Sequence, residues 1–163
     1  MKHILSILLI FFVCLVQAEN NIADNIWAAR TATRLMQKAT SLQSKGQILE
    51  AMDSATLALS VYDKCNVAKN FIYRNWDKTM RSASAQIVEL SDLNDFYQAQ
   101  QRLIIYRYLN EINTNIRYCK LPIHGPKDRW VWQPDIQYWQ GHLDDEMKRV
   151  NRLEKLQNGE TQD

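Results

Sequence analysis

From Ile22 to Cys119 apolar side chains return at intervals of three and four residues, with no proline and only Gly46 to interrupt them. Such spacing gathers them on one face of an α-helix rather than on alternate sides of a strand. Ile22, Ile26, Leu35, Ala39 and Leu42 form a first stripe, which Lys45 and Gly46 end as a basic last turn followed by a C-terminal glycine. The spacing predicts a helix over about 21–44. Ile48, Met52, Ala55, Leu59, Tyr62 and Cys65 share a face of a second helix, and Ala68, Ile72, Trp76, Met80, Ala83, Ile87 and Leu90 make a third. Neither Pro nor Gly separates these two, and the break is placed at Asp63 to Asn66. Ser91 and Asp92 offer an N-cap to a fourth helix lined by Leu93, Tyr97, Ile105, Leu109, Ile112, Ile116 and Cys119.

Beyond Cys119 the pattern changes, because Pro122, Gly125, Pro126, Pro134 and Gly141 crowd together where a continuous helix cannot persist. An irregular segment from Lys120 to about Gln133 is expected, then a fifth helix from about Pro134 to Leu156. Ile136, Trp139, Leu143, Met147, Val150 and Leu153 stripe it, with Asp144–Lys148 and Asp145–Arg149 as surface charge pairs. The fold class that follows is all-α: an antiparallel bundle of four to five helices, with an irregular Trp- and Pro-containing segment before the last one.

One stretch resembles a known architecture. Ala39, Leu42, Gly46, Glu50, Ala51, Ala55, Ala58 and Leu59 are similar to the helix-turn-helix core of a tetratricopeptide repeat, in which small residues let two antiparallel helices approach closely. The likeness covers one unit of about 25 residues, where such arrays need about three. No second copy follows and the usual proline after the second helix is missing, so it implies a close hairpin and no concave peptide groove.

The start of the chain reads as an export signal. Lys2 is followed by a nearly unbroken apolar run from Ile4 to Val16, and Val16 and Ala18 supply the small residues that signal peptidases read, with cleavage before Glu19. A run this short falls below the roughly 20 residues that span a bilayer, so no stable membrane anchor is expected after cleavage. Three parts result: a signal peptide over 1–18, one helical domain over 19–157 and a frayed tail over 158–163. Export leaves Cys65 and Cys119 in an oxidising compartment, where an even pair reads as one disulfide. In an up-down-up-down bundle the ends of the second and fourth helices share a pole, which is where these cysteines fall.

Composition narrows the chemistry. Losing Lys2 takes the 20 Lys and Arg to 19 against 18 Asp and Glu, so the mature chain is near neutral and lacks the basic excess that grips nucleic acid. No Gly-x-Ser-x-Gly elbow, phosphate loop or His-Glu-x-x-His run is present, so no catalytic residue, metal site or cofactor is assigned. His142 with Glu146 one turn on, and His124 from the irregular segment, would have to converge to hold a metal, and no spacing fixes that geometry. Arg129, Trp130, Trp132 and Trp139 form the most unusual local composition, and Trp and Arg are the side chains that most often anchor interfaces; they are the candidate partner surface. The expectation is a non-catalytic exported interaction protein (an adaptor, chaperone, inhibitor or immunity-type factor) of the bacterial periplasm or secreted space, its partner another envelope or secreted protein. The alternative is a carrier that encloses a small apolar ligand between its helices.

Overall fold

The computed structural model describes the backbone of residues 2–116 and 136–159, and the side chains of 23–116 and 137–159. These residues form five α-helices and no strand: α1 (Lys2–Ser44), α2 (Ile48–Val61), α3 (Asn66–Glu89), α4 (Phe96–Ile116) and α5 (Ile136–Gln157). The first helix is longer at its start than the stripe from Ile22 indicated, since no proline or glycine stands between Lys2 and Ser44 to stop it. Among the described residues no helix is long and apolar enough to cross a membrane.

Each boundary has a local cause. Gly46, at φ +79°, ends α1 in a Schellman turn: its amide donates to the Gln43 carbonyl at 3.0 Å and the Gln47 amide donates to the Leu42 carbonyl at 3.0 Å. The break between α2 and α3 lies at residues 62–65, one residue earlier than Asp63 to Asn66, with Tyr62 in extended backbone and the Cys65 amide turning back to the Tyr62 carbonyl. The start of α4 is a correction. Asp95, not Ser91 or Asp92, caps it, through its Oδ1 accepting from the Gln98 amide at 2.7 Å, while the Gln98 side chain reaches back to the Asp92 amide. An aspartate oxygen bonded to the third amide of the helix is an N-cap, and the Gln98 side-chain oxygen ties the preceding loop to the first turn.

α2 lies at the centre, touching α1, α3 and α4, and α5 rests on α4. Registers fix the directions. Asn115, late in α4, donates to Asp53 and Thr56 of α2 at 3.3 and 3.2 Å, whereas Glu50 and Tyr108, both earlier in their helices, flank one cleft. Hence α2 and α4 run parallel and end at the same pole, as an up-down-up-down bundle requires. α5 returns antiparallel to α4, since Asn110 meets Gln140 and Arg102 meets Glu146. Alanines make the α1–α2–α3 approach close: Ala39, Ala55, Ala58 and Ala68 are completely buried.

The main core joins Met36, Met52, Leu59, Ile72, Trp76, Leu109, Ile112 and Ile116 across the first four helices. A second, smaller cluster seals α5 onto α4 through Ala99, Val150 and Leu153, with Phe96 and Leu103 against it. Several expected stripe positions stand outside both. Ile26, Leu93, Tyr97 and Met147 are exposed, and the inward places on α1 and α5 belong instead to Ala32 and Met36 and to Glu146. The charge pairs of α5 also differ: Asp145 meets Lys148 and Glu146 meets Arg149, each three residues apart. Cys65 is half-buried against the main core with a free thiol, and Cys119, three residues past the end of α4, lies outside the described residues.

Candidate functional site

Two arrangements of polar side chains stand apart from the apolar core. The first is an ion pair sealed between α4 and α5. Arg102 points inward where the periodicity of α4 calls for an apolar residue, and it and Glu146 are 2–3% exposed. The Arg102 Nε donates to the Glu146 Oε1 at 2.8 Å, and the other Glu146 oxygen accepts from Arg149 at 2.5 Å. One further nitrogen of Arg102 donates to the carbonyls of Leu90, the C-cap residue just past α3, and of Asp92 in the loop that follows. The guanidinium therefore caps the C-terminus of α3, where a positive charge is favourable, while neutralising Glu146. Both Glu146 oxygens are thus engaged by arginines, one by Arg102 and one by Arg149. His142 itself is enclosed by rings, stacked on Tyr106 at 5.2 Å and edge-on to Tyr138 at 4.5 Å. Burial, then the Glu146 charge, lifts the Tyr106 hydroxyl above its ordinary range. Among the described residues no three His, Cys, Asp or Glu side chains are poised to hold a metal, and His124 lies outside them.

Of the residues singled out as a partner surface, Trp139 is half-buried and leans on the main core, with the Tyr138 ring edge-on at 4.9 Å. Arg129, Trp130 and Trp132 lie outside the described residues. No family model matches the chain, and no curated protein or solved structure matches it either. What the molecule does has to follow from its own surfaces.

The second arrangement is a cleft of about 500 Å³ at the pole where α2 begins. It exists because of helix lengths. α2 has 14 residues against 24 in α3 and 21 in α4, so the last turns of α3 and the first turns of α4 reach past the start of α2 and splay apart with little contact between them. Gly46 to Glu50 form the floor, α3 supplies Ser82, Gln86 and Glu89, and α4 supplies Tyr97, Gln101, Ile104 and Tyr108. The volume lies within the range of about 300–1,000 Å³ that ligand sites occupy.

The cleft has a sign. Glu50 and Glu89 line it, and among the described residues no lysine, arginine or histidine does. The negative character runs on along the seam between α2 and α4. Burial first, and then the carboxylates of Glu50, Asp53 and Glu111, push the Tyr108 hydroxyl above its ordinary range. Asp53 shows the same field from inside. Desolvation, with the Glu111 charge beside it, raises its carboxyl to about 6, although Lys38 and the bond from Asn115 pull the other way. Periodicity alone missed this site because it treated Tyr97 as core, whereas Tyr97 and Ile104 are 66% and 45% exposed. Their legible signal was spacing: Tyr97, Gln101, Ile104 and Tyr108 stand four, three and four apart, one continuous stripe of α4 beside the apolar one.

Proposed function

We propose that the protein is a non-catalytic interaction protein, exported through a leader removed before Glu19, whose partner is another protein of the bacterial periplasm or secreted space. The observation that carries this reading is the open cleft with exposed Tyr97 and Ile104 on its wall, a concave surface where large apolar side chains meet solvent among polar ones. The carrier alternative asks for an enclosed apolar space. It draws less support, because the main core is filled by side chains from four helices and the cleft is open and acidic. A Cys65–Cys119 bridge belongs to the same proposal: Cys65 stands at the pole where α4 ends, three residues before Cys119. Arg129, Trp130 and Trp132, which follow α4, are retained as a second contact surface.

The test is site-specific photo-crosslinking in the native host, with the reactive side chain placed at Tyr97 or at Trp130. Capture of one exported protein from either position, lost when that position's neighbour is changed (Ile104→Asp or Arg129→Ala), supports the reading. Crosslinks to no protein, together with an apolar small molecule extracted from the purified chain, would overturn it in favour of the carrier.

A further inference from the structure

A cleft whose ionic groups, among the described residues, are both carboxylates selects against anions, and the apolar side chains on one wall say what the favoured cation must be attached to. Glu89 stands on the last turn of α3, Glu50 on the first turn of α2, and between and opposite them α4 presents Tyr97, Ile104 and Tyr108. Transfer of a lone hydrated cation would leave Tyr97 and Ile104 in water, whereas a chain carrying both kinds of side chain covers the apolar wall and neutralises the acidic rim together. Phenol rings beside carboxylates also favour an organic cation over their faces. Gln86 and Gln101, from opposite walls, bring side-chain amides that donate and accept, which is what the backbone of an extended peptide requires. A nucleic acid backbone would meet only repulsion here.

We propose that the cleft binds an extended segment of a partner protein in which lysine or arginine alternates with apolar residues; this rests on the interaction-protein reading and gives its partner a chemistry. In such a segment side chains point alternately to opposite sides, so one set packs on Tyr97 and Ile104 while the other reaches Glu50 and Glu89. Lys45, Arg81 and Arg107, next in sequence to the lining, are exposed to solvent, Arg102 beside Gln101 is buried and paired with Glu146, and none of the four lines the cleft.

The experiment is fluorescence anisotropy on the full chain with a short labelled peptide of alternating leucine and lysine, compared with its leucine–glutamate counterpart. The basic peptide is expected to bind at least about tenfold more tightly, with affinity falling as salt rises. Changing Glu50→Gln and Glu89→Gln together should weaken it about tenfold, as two partly solvated pairs would. Glu89→Lys, on an exposed turn remote from the core, should shift preference toward the acidic peptide and serves as the variant whose folding is secure. Spermine, a cation without apolar side chains, should compete poorly. Equal binding of the two peptides, no binding of either, an unchanged affinity in both variants, or ready displacement by spermine would each overturn the proposal. If the cleft fails in this way while crosslinking from Trp130 still captures a partner, the interaction reading stands without it.

Discussion

Asp53→Asn is expected to stabilise the protein at neutral pH, and the reason is the acidic seam. The Asp53 carboxyl is raised from 3.8 to about 6 in the fold, chiefly by desolvation and then by Glu111. A raised carboxyl pKa means the native state holds its proton where the unfolded chain has already released it. Stability therefore declines as pH climbs from about 4 to about 6, and the deficit is complete above that. Two pH units correspond to a ceiling of about 3 kcal/mol. Asp53 is only half-buried and Lys38 offsets part of the field, so solvent screening reduces the expected penalty to about 1 kcal/mol. The amide oxygen of an asparagine can still accept from Asn115, which keeps the contact between α2 and α4. Urea titrations followed through far-ultraviolet circular dichroism at pH 4, 5, 6 and 8 would measure it. The variant should gain about 1 kcal/mol at pH 8 and nothing at pH 4. A difference independent of pH, or a wild type more stable at pH 8, would refute the reasoning.

Three further outcomes follow from named contacts. Glu146→Ala strands the Arg102 guanidinium in the interior and should cost about 3–5 kcal/mol in thermal or urea unfolding. Replacing both partners, Arg102→Met with Glu146→Leu, should recover most of that, and a double variant as unstable as the single one would contradict the assignment. Ala55→Leu overfills a completely buried contact of α2 and should lose about 1–3 kcal/mol, visible as a fall of several degrees in Tm. If Cys65 and Cys119 are joined in the exported protein, alkylation will label neither thiol before reduction and both afterwards, and Cys65→Ser should destabilise the oxidised chain by about 2–4 kcal/mol. Labelling of both without reductant would dismiss the bridge.

The helices were legible in the sequence because long amphipathic stripes survive small errors of boundary, and the turn at Gly46 because only a residue tolerant of positive φ closes it. The break at 62–65 was placed one residue late, because the apolar stripe runs on at threes and fours through Tyr62, Cys65 and Ala68 and no breaker residue marks it. Where the reading went astray, side-chain type misled it. Leu93 and Tyr97 were assigned inward for being apolar, yet the Asp95 N-cap starts the helix later and leaves Leu93 in a loop. Glu146 was passed over because acids rarely go inside, while Met147 beside it was taken as core. The stripe of Leu143, Glu146, Val150 and Leu153 shows that geometry, with Arg102 waiting opposite, decided otherwise. The cleft was the least visible feature, since it arises from unequal helix lengths in three dimensions.

The sealed pair of Arg102 and Glu146 has a consequence for how the chain is made. Residues emerge in order, so α1 to α4 can gather while α5 has yet to arrive, and during that interval Arg102 caps α3 with its own charge unanswered. The domain is completed electrically only when a residue near the C-terminus reaches it. Without α5 that guanidinium and the face of α4 around Ala99 and Leu103 stand open to water, so a chain trimmed of its last helix loses the ion pair and the second apolar cluster together.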